Sequence, residues 1–301
     1  MSILVLGTVA LDTINTPGGT RRNIIGGSAS HFSMAARLFT KVNIVACVGK
    51  DFPRENINFL RSKGIDLSSL SVQEGKTFHW QGQYRNDFNT AITLKTELGV
   101  LSSFKPVILA RQRKIKYLFL ANVDPDIQSG LLKEMHKPKI IALDSMNYWI
   151  DNKRKALLGL LKKVDIYFAN DKEAISLSGQ KSLIKAAKSL HRLGAKMVLI
   201  KKGEHGALFY NGKDIFLLPA YPVEEIVDPT GAGDTFAGGF MGYLAKVGRA
   251  DSWAIKNALT YGSIAASFNI EGFGLDKSAR LRIEDLENRI LKFKKCILFQ
   301  G

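Results

Sequence analysis

The feature that most constrains this chain is an alternation: short apolar runs bounded by turn residues give way, over and over, to longer segments of helical period. Apolar runs fall at 3–7, 42–48, 117–121, 140–144, 166–169, 197–201 and 207–210. A strand apolar at every position must be covered on both faces, the condition of a parallel sheet enclosed by helices. Between the runs, helical period marks 28–38, 55–63, 126–135, 155–163, 171–177 and 183–193, the last stopped by Gly194. Such βα units predict an α/β protein, a three-layer αβα sandwich with a mostly parallel central sheet.

Two stretches break the rule. Residues 11–25 read as two short strands around Pro17-Gly18-Gly19, and residues 77–94 are strand-like, with Phe78, Trp80 and Tyr84 but no crossover helix. Together they predict a small β lid set apart from the main layer. With no repeat, linker or composition break, residues 1–301 read as one domain carrying that lid.

Charge and cysteine content narrow the class. Lys and Arg number 43 against 27 Asp and Glu, a net charge of +16, which attracts anions. The basic knots at 111–116, 153–155 and 292–295 lack interleaved aromatics, so they read mostly as solvated helix faces, and a non-catalytic nucleic-acid or ligand-binding regulator is the minor alternative. Two cysteines, Cys47 and Cys296, make neither a disulfide framework nor a zinc site. No apolar stretch approaches the ~20 residues of a membrane helix. The first apolar run starts at Ile3 with no basic segment before it, so a first strand in a cytoplasmic protein is expected.

The densest chemistry lies in Asp228-Pro229-Thr230-Gly231-Ala232-Gly233-Asp234-Thr235-Phe236-Ala237-Gly238-Gly239-Phe240. A glycine-rich loop here runs into a helix whose apolar residues continue through Met241 and Leu244. The amides of Gly231, Ala232 and Gly233, reinforced by the helix dipole, form an anion pocket suited to phosphate. Asp234 in the first turn either complements the dipole or serves as a general base, taking the proton of a hydroxyl that attacks a phosphorus. The string is not a Walker loop, which needs Gly-x4-Gly-Lys-Ser/Thr.

This segment closely resembles the signature of the ribokinase-like (PfkB) sugar kinases, Asp-Thr-x-Gly-Ala-Gly-Asp, with Pro229 in the Thr position. The resemblance extends over the whole chain and implies an ATP- and Mg²⁺-dependent transfer of the γ-phosphate to a primary hydroxyl of a sugar, or, in the same fold, of a nucleoside such as adenosine, inosine or cytidine. It implies Asp234 as the base and Asp12 with Gly26 and Gly27 as holders of acceptor hydroxyls. His31 stands where the family has Asn, either as a core residue or as a substrate contact, and Asn147 is a further acceptor candidate in the loop after 140–144. Asn170 and Glu173 match an Asn-x-x-Glu element, with Asn170 near phosphates and Glu173 ordering water around Mg²⁺. Lys201, Gly203 and Gly206 match a Thr-x-Gly-x-x-Gly turn beside the nucleotide, with Lys in place of Thr. Gly262 aligns with the small-residue helix that flanks adenine, where close helix packing is the other reading. Asp228 and Thr230 correspond to a monovalent-cation position, usually K⁺. The lid implies closure over the acceptor and a lid-to-lid homodimer, with Phe78, Trp80 and Tyr84 either walling the substrate or alternating in a half-exposed sheet.

Overall fold

The computed structural model describes residues 1–85, 88 and 90–297. Its main sheet holds β1 (Ser2–Leu6), β4 (Lys41–Gly49), β5 (Asp66–Gln73), β8 (Tyr117–Leu120), β9 (Ile140–Leu143), β10 (Ile166–Asn170), β11 (Met197–Lys201), β12 (Ala207–Tyr210) and β13 (Ile215–Leu218). Their order is β13-β12-β11-β10-β9-β8-β1-β4-β5. From β5 through β11 every pairing is parallel, and β12 and β13 add an antiparallel edge.

The pleat sorts side chains into two cores. Ile3, Val5, Tyr117, Phe119, Ile166 and Phe168 point to one face, where they meet α1 (Ser28–Ala36), α2 (Arg54–Ser62), α8 (Ala232–Val247), α9 (Ser252–Asn269) and α10 (Ile283–Ile297). Leu4, Leu6, Leu118, Leu120, Tyr167 and Ala169 point to the other, against α3 (Pro125–Glu134), α4 (Asn147–Asn152), α5 (Arg154–Leu161), α6 (Asp171–Ser178) and α7 (Leu183–Leu193). Alternation within runs that are apolar throughout is what a sheet covered on both sides requires. The three expected layers are therefore present.

A smaller sheet orders β3 (Gly19–Gly26), β2 (Ala10–Thr16), β6 (His79–Gln83) and β7 (Ile92–Glu97). It is the lid expected from 11–25 and 77–94; residues 86, 87 and 89 of that second segment lie outside the described residues. One lid expectation needs correction. Phe78 packs into the core on the α3–α7 face, whereas Trp80 and Tyr84 join Ile14 and Phe273 in a separate cluster under the lid. The basic knot at 292–295 does lie on a solvated helix face, with Lys292, Lys294 and Lys295 exposed on α10 around buried Phe293.

Helix α8 is fixed against the sheet by aromatic contacts. Phe32 stacks on Phe119 at 4.4 Å, Phe119 meets Phe168 edge-on at 5.7 Å, and Phe168 meets Phe240 at 5.4 Å. Contacts of this kind contribute about 0.5–1.5 kcal/mol each beyond their area. Gly238 lets α8 approach α1, since a Cβ there would lie 2.1 Å from the Phe32 carbonyl oxygen. The chain order reverses between β1 and β8, so the crevice at the carboxyl ends of these strands is where an open α/β sheet places its ligand.

Candidate active site

The ends of β9, β10 and β11 and one helix mouth converge at that crevice. The helix mouth is set by Gly231, the residue before α8, at φ +72°. Only glycine fits, for the left-handed backbone is costly with a side chain and a Cβ would sit 2.2 Å from the His31 ring. The amide of Ala232 donates to the Pro229 carbonyl at 3.1 Å, and that of Thr235 to Gly231 at 2.8 Å. Ala232, expected in the anion pocket, thus spends its amide inside the turn, and the amides of Gly231 and Gly233 carry no such bond among the described residues.

Asp228 organises this loop from below. Wholly buried, it accepts the amide of Thr230 at 2.9 Å and that of Gly274 at 2.9 Å, while the Thr230 hydroxyl donates to Tyr84 Oη at 3.2 Å. Asn269, which sequence reasoning passed over, ties three elements together. Its Nδ2 donates to the Thr230 carbonyl at 2.9 Å, and its Oδ1 accepts from Thr235 at 3.1 Å and lies 3.1 Å from His31 Nδ1. Because Oδ1 is the acceptor, Nδ1 carries the His31 proton and Nε2 is a bare lone pair. Nε2 is buried and has no partner among the described residues. Burial holds the imidazole pKa below its usual value against the opposing pull of Asp228 and Asn269, so the ring is neutral.

Four charged groups gather around the loop. Lys201 Nζ lies 2.7 Å from Asp144 Oδ2 and would be 2.9 Å from a Cβ on Gly233, which places the ammonium over the open amides. Asp144 also accepts the Ser145 amide at 2.8 Å. Glu173 and Asn170 cap α6 reciprocally: the Asn170 side chain accepts the Glu173 amide at 2.8 Å and Glu173 Oε2 accepts the Asn170 amide at 2.7 Å. One cation thus serves three carboxylates. Asp144 takes it by contact, and the other two titrate high. Burial first, then Asp144, raises Asp234 to about 7, and the same two causes push Glu173 up while Lys201 opposes. Burial alone would lower Lys201, but Asp144 and Glu173 outweigh it and the amine stays protonated. Asp234 therefore differs from the fully ionised carboxylate that its ordinary pKa would make it at neutral pH.

Asp12, on β2, packs against the Gly26-Gly27 turn. Its Oδ2 occupies the space of a Gly26 Cβ, at 1.8 Å, which is why residue 26 is glycine. The amides of Gly27 and Trp80 face the carboxylate, yet Oδ1 has no hydrogen-bond partner among the described residues. Burial raises Asp12 to about 7 against those amides, with Asp228 and Asp234 adding to the rise.

Other expected residues are dispersed. Gly203 and Gly206 shape the turn after β11, with the Gly206 amide donating to the Gly203 carbonyl at 3.0 Å. Gly262 sits 2.7 Å (as Cβ) from the Phe236 carbonyl, so its position serves α8–α9 packing. Asn147 is exposed on the first turn of α4, not in a loop, and makes no hydrogen bond to Asp12, Gly26 or Gly27. Asp144 was within reach of sequence reasoning, since it ends a buried strand at the sheet edge where ligands bind.

Open amides under a lysine, an adjacent carboxylate poised near neutrality and a second buried carboxylate beside a glycine pair define a phosphotransferase that uses an alcohol as acceptor. The model of the pfkB family carbohydrate kinases matches residues 4–280. This chain belongs to that family and is an ATP-dependent kinase. It is 36% identical over 248 residues to the cytidine kinase of Thermococcus kodakarensis, covering 80% of this chain and 87% of the relative. The nucleoside kinase of Methanocaldococcus jannaschii superposes with a TM-score of 0.78 at 21% identity, covering 97% and 98% of the two chains. An Escherichia coli protein assigned as ribokinase II, in complex with ATP and Mg²⁺, does so at 0.79 and 21%, covering 97% and 99%. No helix among the described residues is long and apolar enough to cross a membrane.

Proposed function

We propose that the acceptor is a nucleoside, of which cytidine is the first choice, phosphorylated on its primary ribose hydroxyl. The observation that carries this reading is the aromatic cluster beside Asp12: Tyr84 and Phe273 with Ile14, flanked by Trp80 and Phe88. Trp80 pairs with Asp12 in register between β2 and β6, so a sugar held at Asp12 brings its base toward these rings. The 36% identical relative is itself a cytidine kinase.

Two buried acceptors have no partner among the described residues, Asp12 Oδ1 on the carboxylate packed against Gly26 and His31 Nε2 on the ring packed against Gly231, and both suit the hydroxyl donors of ribose. Asp234 accepts the proton of the attacking hydroxyl, while the amides of Gly231 and Gly233 with Lys201 face the charge on the transferring group. Asn170, Gly203 and Gly206 border the nucleotide. Asp144, Glu173 and Asp234 outnumber the one lysine among them, an excess of negative charge that a divalent cation would offset. Glu173 would hold Mg²⁺ through water, and the ion supplies neutralisation of phosphate charge. A monovalent cation fits Asp228, a buried carboxylate with no ion pair among the described residues, with Thr230 as its neighbour.

A panel of free sugars and nucleosides, assayed for ADP release in potassium and in tetramethylammonium chloride, tests both points. Base stacking contributes about 1–3 kcal/mol, so kcat/KM for cytidine should exceed that for ribose by about 5- to 150-fold, and potassium should raise the rate. Faster turnover of any free sugar than of every nucleoside would overturn the acceptor and leave the kinase intact.

The base assignment has its own pH signature. Asp234 acts only when deprotonated, so activity is present above its folded pKa and lost below it. In kcat/KM, which reports the free enzyme, the profile should climb as pH rises through about 7 and then level. A profile flat down to about pH 5.5 contradicts the role.

A further inference from the structure

The catalytic groups occupy the carboxyl ends of the parallel strands. At the opposite ends of β1 and β8 lies an open depression, about 400 Å³, that phosphoryl transfer does not use. Its lining holds Arg111, Lys114, Lys116 and Lys139 and no carboxylate, with Ser2 at the start of β1 and Tyr117 at the start of β8. These strand ends stand about 15 Å from the catalytic edge, given a rise of about 3.3 Å per residue.

Little in the protein neutralises this charge. Arg111 reaches Asp66 at 3.3 Å and Ser68 at 2.8 Å, but Lys116 and Lys139 donate only to the carbonyls of Lys137 and Gly248, and Lys114 has no ion pair or hydrogen bond among the described residues. Cations brought together in a concavity with low-dielectric walls focus an anion-attracting field. The second observation is independent of charge. Tyr117 is 1% exposed, yet its hydroxyl has no partner among the described residues, whereas a buried phenol ordinarily finds one. Burial pushes its pKa up, so it is a neutral O–H donor.

We propose that this depression binds a compound carrying two or more linked phosphates, held by Arg111, Lys114, Lys116 and Lys139 with the Tyr117 hydroxyl as a neutral donor. An arginine fork beside lysine point charges suits phosphate oxygens. The volume lies in the range of small-molecule sites. The cations sit on one turn, 111–116, and one strand end and line a hollow, and no aromatic platform interleaves them as nucleic-acid tracking would use. Within this proposal the exposed cations of the knot at 111–116, Arg111, Lys114 and Lys116, line the site.

Calorimetric titration of the full chain with tripolyphosphate tests this. The wild type should show two sites, one at the catalytic loop and one at the rear. Lys114→Ala/Lys139→Ala should remove one site and leave kcat and the KM for ATP unchanged, and Tyr117→Phe should weaken the same site about three- to tenfold. A parallel titration with ATP assigns the source: tighter binding of ATP at the rear site marks a nucleotide, tighter tripolyphosphate an inorganic chain. The proposal is overturned by a single site in the wild type, by equal weakening in a Lys292→Ala/Lys295→Ala control, or by a nucleic-acid duplex that outcompetes tripolyphosphate at the rear site. None of these outcomes touches the choice of acceptor.

Discussion

Asp234→Asn should fold, bind ATP at least as tightly as the wild type, and lose roughly 10²–10⁴-fold in kcat, the span of a positioned general base. The side chains are isosteric, and Asp234, raised to about 7 in the free protein, is already partly neutral near physiological pH. An amide there imitates the protonated form. It therefore leaves the α8 turn undisturbed and removes a negative charge from beside the phosphates. What it lacks is a lone pair basic enough to accept the hydroxyl proton. Steady-state kinetics with a coupled ADP assay, alongside calorimetric ATP binding, separates the outcomes. A fall confined to kcat supports the role, because an interaction used only in the transition state leaves ground-state affinity alone. Retention of half the wild-type rate would sink it, and a collapse of ATP affinity would make Asp234 a structural residue of the loop.

Much of this site is legible in the sequence because it obeys local rules. The run 228–240 joins small residues to a helical apolar period, and the loop-to-helix transition at Gly231 follows from that pattern alone. The strands 117–121 and 166–169 are read correctly because short, uniformly apolar runs between turns fit the covered sheet of an α/β fold. The misses come from contacts distant along the chain. Asp144 looks like the polar end of one strand until β11 brings Lys201 beside it, 57 residues later. Asn269 bonds His31 across 238 residues, so nothing near either residue announces the pair. Edge elements escape for another reason. β5 is half polar, with Ser69 turned inward to donate to Gln112, and its register against β4 slips between Asn43 and Val45, which breaks the period of two. Titration behaviour is the least legible of all. A pKa of about 7 for Asp12 depends on burial and on two carboxylates from other elements, none of which spacing reveals.

Lys201→Met should be the most destabilising change at the site, at a cost of about 3–5 kcal/mol, because it strands a buried carboxylate. Asp144 and Lys201 have side chains 5% and 17% exposed, so solvent screens the pair little. Once the ammonium is gone, Asp144 faces Glu173 and Asp234 with no cation among them, and the cheapest response is further protonation of the cluster. Nucleotide affinity should fall about 10- to 100-fold as well, the worth of one charge-assisted hydrogen bond of about 1.5–3 kcal/mol. The two losses separate in the double variant Asp144→Asn/Lys201→Met. Removing the stranded charge should restore most of the thermal stability, whereas ATP binding should stay weak, since no ammonium returns to the open amides of Gly231 and Gly233. A double-mutant cycle read by chemical denaturation gives the pair's coupling, and calorimetry gives the nucleotide term. If the double variant regains ATP affinity together with stability, Lys201 serves only to neutralise Asp144. If instead Lys201→Met keeps wild-type stability, the contact with Asp144 contributes nothing to the fold and the ammonium is free to follow the phosphates.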